Sequence, residues 1–123
     1  MPRTRFAYRL LLGLLLPACG ENMELYRLDQ LTTLSATPHG SRQLQIQYRP
    51  KSESLYFSPG IALSEHADHI EIRFVRCKIR EKCPVTHSAQ AAEDGVMAVT
   101  IPRPSMSVLA TDGKQIRELF VGS

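Results

Sequence analysis

Residues 43–48 read Gln-Leu-Gln-Ile-Gln-Tyr, a strict alternation of polar and apolar side chains. Successive side chains of an extended chain point to opposite sides, so Leu44, Ile46 and Tyr48 share one face and the glutamines the other. A helix would keep Leu44 and Tyr48 together but turn Ile46 to the opposite side, so this segment is a half-buried strand. Residues 69–77 extend the theme: Ile70, Ile72 and Phe74 share a face, and then Val75, Cys77 and Ile79 take the opposite parity. A parity change without a turn residue predicts a β-bulge near Phe74-Val75.

The rest of the chain is punctuated at short intervals. Tyr26, Leu28 and then Leu31 or Leu34 suit a first strand, although Leu25, Leu28 and Leu31 also permit a helical turn. Residues 37–41 form a turn or loop, and Pro50 ends the alternating strand. Leu55-Tyr56-Phe57 reads as a short strand closed by Ser58-Pro59-Gly60. Residues 64–68 are a polar connection, and 87–95 are a polar, Ala-rich loop or one helical turn. Residues 96–101 are a β-branched run stopped by Pro102-Arg103-Pro104. Beyond it, Asp112-Gly113 between the apolar runs 106–110 and 115–121 is a strong hairpin signal. Six or seven short strands with this spacing predict an all-β fold: a small, single-domain antiparallel sandwich or barrel. Tyr26, Tyr48, Phe74 and Phe120 are core candidates. Tyr56-Phe57, beside Pro59-Gly60, is the one aromatic pair placed to act as an anchor on a loop, with core burial the simpler use.

The amino terminus has a different character. Residues 1–9 carry Arg3, Arg5 and Arg9 and no acid, the apolar run 10–16 follows, and then Pro17-Ala18-Cys19-Gly20. These are the parts of a secretory signal. The apolar stretch 10–18 is far shorter than the roughly 20 residues that span a bilayer, so a mature transmembrane helix is not expected. Leu16-Pro17-Ala18-Cys19 resembles the lipobox of bacterial lipoprotein precursors, a likeness confined to residues 1–21. It implies a signal peptide over 1–18, a lipidated tether over 19–24 and one β domain over 25–123. Cys19 would carry a diacylglycerol thioether and an amide-linked acyl chain, enough buried chain for a stable anchor. The family's inner-membrane retention residue in enteric bacteria is Asp after the Cys. Gly20 in that place implies the outer membrane, on its periplasmic side. The alternatives are inner-membrane anchoring, or a signal cut after Ala18 that leaves a soluble periplasmic protein.

With Cys19 taken by lipid, Cys77 and Cys83 remain from the three cysteines as an even pair, and exported domains commonly oxidise such pairs. A fully extended segment would hold their Cα atoms roughly 20 Å apart, against the 7 Å or so that a disulfide allows. The pair therefore demands a turn, expected around Arg80-Glu81-Lys82. Closing this loop contributes about 2.4 kcal/mol by the chain-entropy model.

Charge narrows the function. Removing Arg3, Arg5 and Arg9 from the 15 basic residues leaves 12, against 12 acidic ones. A neutral mature domain argues against nucleic acid as a partner. Within it, Arg73, Arg76, Lys78, Arg80 and Lys82 concentrate positive charge, offset locally by Glu81 alone. They could meet the phosphates of an anionic glycolipid, a bilayer surface or an acidic patch on an envelope protein, or protect a strand edge from aggregation. His66 and His69, near Glu65, Asp68 and Glu71, could bind zinc or copper, with Met97 or Met106 as further copper ligands. In a strand, however, the two histidines fall on opposite faces, and only a turn or helix would bring them together. No hydrolase, zinc-protease or phosphate-loop motif occurs, the pair Glu93-Asp94 reads as solvated, and no cofactor is expected. The expectation is a non-catalytic lipoprotein, a binding or assembly module for an envelope complex or glycolipid. A periplasmic small-ligand or metal carrier is the alternative.

Overall fold

The computed structural model describes residues 23–122. The expected signal peptide and the Cys19 lipidation site lie outside them. A 3-10 turn, Leu28–Gln30, leads into nine strands: β1 (Leu31–His39), β2 (Gln43–Pro50), β3 (Tyr56–Glu65), β4 (His69–Lys78), β5 (His87–Ser88), β6 (Gln90–Ala91), β7 (Met97–Pro102), β8 (Ser107–Thr111) and β9 (Ile116–Phe120). They form a four-stranded sheet, β1-β2-β7-β6, and a five-stranded sheet, β5-β3-β4-β8-β9. The expected all-β class holds, as a sandwich, with two more strands than the upper expectation. The two additions, β5 and β6, are two residues long. One pairing departs from an antiparallel scheme: β4 and β8 run parallel, His69 to Ile72 beside Ser107 to Ala110.

The alternating residues fill the interface between the sheets. Leu44, Ile46 and Tyr48 of β2, with Val99 and Ile101 of β7, meet Ile61, Ile70, Ile72, Phe74, Val108 and Ala110 of the other sheet. Each fully buried Ile or Leu side chain stabilises by roughly 1.5–3 kcal/mol. The Tyr48 and Phe74 rings cross this core with centroids 4.6 Å apart. The Tyr48 hydroxyl is paired at 2.6 Å with that of buried Ser58, which satisfies a polar group that would otherwise be costly to bury. Burial pushes its phenol up to about 12.

Ser58-Pro59-Gly60 does not end β3. Phe57 pairs with Cys77 and Gly60 with Val75, so two residues of β3 stand opposite Arg76 alone. The expected bulge thus exists, but its extra residue is in β3 and not at Phe74-Val75. Pro59, which has no N–H to give a ladder, falls where the ladder is interrupted. Gly60 is required by close approach, because a Cβ there would stand 2.1 Å from the His87 carbonyl oxygen on β5. The parity change in β4 has a different origin. Val75 and Cys77 are buried yet lie outside the main core: Val75 lines a cleft that also takes in Cys83 and Pro84, and Cys77 is bonded to Cys83.

Residues 87–91 are extended, not a loop or helical turn. His87–Ser88 edges one sheet, the chain changes sheets at Ala89, and Gln90–Ala91 edges the other. Asp112-Gly113 forms the expected hairpin between β8 and β9. Asp112 Oδ1 accepts from the Lys114 and Gln115 amides at 2.8 and 2.7 Å, and Oδ2 from the Leu28 amide at 2.9 Å. Partial burial opposes its ionisation, but these N–H donors prevail and hold the carboxyl below its usual value.

The disulfide joins Cys77 and Cys83 within the chain, with Cα atoms 5.9 Å apart. Its turn comes slightly earlier than expected, since the Glu81 amide donates to the Lys78 carbonyl, placing Ile79 and Arg80 at the corner. Replacing both cysteines by Ala should lower stability by about 2 kcal/mol and the melting temperature by roughly 10 °C, a loss that calorimetry at matched pH checks. In the native chain both thiols should take up an alkylating reagent only after reduction.

Candidate functional site

β4 divides the basic residues into two groups. Arg73 lies midway along the strand, opposite Ala62. One of its terminal nitrogens donates to Ser64 Oγ at 3.0 Å, and its buried Nε has no partner among the described residues. Arg76 is committed to the fold. Its Nε donates to Glu53 Oε1 at 3.0 Å, its two terminal nitrogens bond Glu53 Oε2 and Glu24 Oε2, and its guanidinium carbon lies 3.5 Å from the Tyr56 ring centroid. The bidentate bond to Glu53 raises the guanidinium pKa still further and holds the Glu53 carboxyl below its ordinary value. Arg76 is therefore not a free cation for an anionic partner, contrary to the expectation from its spacing. Arg73, held by Ser64 in mid-strand, does not join the tip either.

Lys78, Arg80 and Lys82 remain. All three are exposed on the disulfide loop, and among the described residues they form no ion pair. An extended segment would align them, but the turn fans them around a tip, with Arg80 at φ 83°. Apolar side chains stand among them. The Ile79 amide donates to the Leu55 carbonyl at 2.9 Å, so these neighbours sit together at the tip, 51% and 70% exposed. Phe57 is 41% exposed, while its partner Tyr56 lies half-buried under Arg76. A cleft of about 350 Å³ runs along this end, lined by Met23, Glu24, Val75, Lys78, Lys82 and Pro84 among others. The chain's first described residue is thus at the basic tip.

The opposite end of β4 carries the histidines. The His66 amide donates to the His69 carbonyl at 2.9 Å, closing the β3–β4 turn. That turn supplies what strand spacing denied: the two rings stack with centroids 4.7 Å apart and planes 14° apart. The pleat places Glu71 on the same face as His69. One Glu71 oxygen is 3.5 Å from His66 Nε2 and the other 3.5 Å from His69 Nε2. His69 Nδ1 is 2.7 Å from Asp68, a bond that lifts the imidazole above its ordinary value and lowers the Asp68 carboxyl. His39 ends β1 and His87 lies in β5, so neither joins them. Met97 and Met106 pack against the core.

The partners of Arg76 had no local signal, since Glu53 and Glu24 lie 23 and 52 positions away. Glu71 had one: two residues after His69 in a strand, it shares that residue's face. Among the described residues no helix is long and apolar enough to cross a membrane. Changing Arg76 to Gln should cost about 2 kcal/mol, by stripping three charge-assisted bonds whose worth solvent partly screens. The Glu53 share of that stability is full above the ordinary carboxylate value of 4.5 and is lost as pH falls through its lower folded value. Urea unfolding should accordingly show the gap between Arg76→Gln and the native protein narrowing in acid.

Compared with known proteins, the chain matches no family model, no curated protein and no solved structure.

Proposed function

We propose that this protein is a non-catalytic lipoprotein, anchored through Cys19 to the periplasmic side of the outer membrane, whose disulfide tip docks on the anionic phosphates of lipid or glycolipid headgroups. The observation that carries this reading is the tip itself: Lys78, Arg80 and Lys82, free of ion pairs among the described residues, surround exposed Leu55 and Ile79. Cations interleaved with apolar side chains suit the boundary between headgroups and acyl chains, where each element finds its preferred environment.

The tether supports the same orientation. Met23 borders the cleft at this end with Lys78 and Lys82. A lipidated Cys19 is four residues earlier and so stands at most about 14 Å from Met23 along the chain. An anchor this short brings the cationic tip, and not the far end of the sandwich, to the membrane surface. Each Lys or Arg near an anionic surface contributes about 1 kcal/mol, so three shift the docked-to-free equilibrium of the tip by roughly 100-fold. The anchor retains the protein, and the tip sets how it stands.

The chain contains no Trp, which gives a clean probe. Leu55→Trp, in lipidated protein reconstituted into vesicles, should show blue-shifted emission and quenching by brominated acyl chains when phosphatidylglycerol is present. Adding Lys78→Glu, Arg80→Glu and Lys82→Glu should return the emission to its aqueous position. An aqueous spectrum in native-charge protein, or quenching indifferent to the charge reversal, would overturn the docking. The anchor is checked by intact mass: residues 19–123 plus acyl chains, a species lost in Cys19→Ala.

A further inference from the structure

We propose that the β3–β4 turn is a binding site for a divalent transition-metal ion, zinc foremost, with His66 Nε2, His69 Nε2 and the Glu71 carboxylate as ligands. This turn is at the far end of the domain from the basic tip, and the site is independent of the membrane reading.

Ligand atoms around a tetrahedral ion, each about 2.0–2.1 Å from it, stand roughly 3.4 Å apart. The Glu71 oxygens are 3.5 Å from the two imidazole nitrogens, and all three ligand atoms lie within 4.8 Å of one another. The positions are also fixed by backbone: the His66-to-His69 hydrogen bond shuts the turn, and the pleat of β4 sets His69 and Glu71 side by side. One ligand imidazole is, in addition, held from behind. Asp68 lies 2.7 Å from His69 Nδ1, so that nitrogen donates its proton to the carboxylate, and Nε2, on the Glu71 side, is the one left to ligate an ion. Carboxylate–histidine pairs of this kind fix the ligand tautomer and raise its basicity.

The donor set selects the ion. Two imidazoles and a carboxylate, without thiolate, suit zinc, copper(II) or nickel in preference to calcium or magnesium, which take oxygen ligands. Three protein ligands leave a fourth position for water or an exchangeable group. Asp68 is a positioning residue and touches no metal.

The test is zinc titration of the full lipidated chain, made without a histidine tag, stripped with chelator and held in detergent micelles against a chromophoric competitor. One zinc per chain is expected, with Kd in the micromolar range or tighter. Asp68→Asn should weaken binding about 10- to 100-fold, and His66→Gln or His69→Gln more than that, while His39→Gln leaves it unchanged. Zinc should raise the melting temperature of the native chain and of His39→Gln, but not that of His66→Gln. Because His66 is exposed in the turn, its variant carries the test even where His69→Gln is destabilised. The proposal is overturned if the native chain stays empty at about 100 µM free zinc. Undiminished binding in His66→Gln, or an equal loss in His39→Gln, would overturn it as well.

Discussion

Strand β4 is bonded along both of its edges. β3 takes one side over nearly its whole length, and the other is shared, β8 pairing with His69 to Ile72 and the segment around Leu25 bridging to Val75. The Tyr26 and Arg76 amides donate to the Phe74 and Glu24 carbonyls, stitching that segment down. With both edges occupied, the strand's register cannot slip without moving Ile70, Ile72 and Phe74 out of the core. Both candidate sites are the turns at its ends, so each inherits its placement from the same ladder.

That arrangement also decides which charges are free. A guanidinium at Arg76 sits where the amino-terminal segment, the loop carrying Glu53 and the bulge in β3 converge. Two carboxylates and an aromatic face meet it there, and one cation is absorbed into holding three pieces of chain together. Two residues further, among the described residues, the strand keeps a ladder partner on one edge only, Tyr56 of β3 opposite Lys78. Lys78, Arg80 and Lys82 project from a loop whose shape is held by a covalent bond, so their charge faces solvent. Equal spacing in sequence therefore gives unequal chemistry: the division follows the point at which β4 passes the amino-terminal segment bonded along its second edge.

The strands that line the core were legible because burial on one side leaves a period of two, as in Leu44-Ile46-Tyr48. Asp112-Gly113 was legible as well, since a tight turn needs a residue tolerant of positive φ. What escaped depended on partners distant in sequence. Ser58-Pro59-Gly60 has the composition of a strand end, and only the approach of β5 to Gly60 makes it a bulge. Residues 87–91 are polar because each edges a different sheet for two residues, too briefly to leave a period. Val75 and Cys77 broke the alternation because they are buried on the other face of β4, Val75 beside a cleft shared with Pro84 and Cys77 through its bond to Cys83. The histidines show the same limit: a spacing of three places side chains on opposite faces of a strand, and here the His66–His69 hydrogen bond turns the chain back so that the rings stack.

The two ends of β4 are about 30 Å apart, nine steps of roughly 3.3 Å between its ten residues. Over that distance, at physiological salt, charge at one end is screened from the other, because the Debye length is about 8 Å. An ion on the histidine turn would leave the electrostatics of the basic tip unchanged, and headgroups at the tip would not alter ligand affinity at the turn. The proposed anchor at Cys19 would carry a further consequence. With it in place, the His66–His69 turn would stand at the end of the sandwich away from the membrane, open to solutes and to other proteins. A ligand position left open on a metal there would face the aqueous compartment, where exchange with a soluble donor or acceptor meets no barrier from the bilayer.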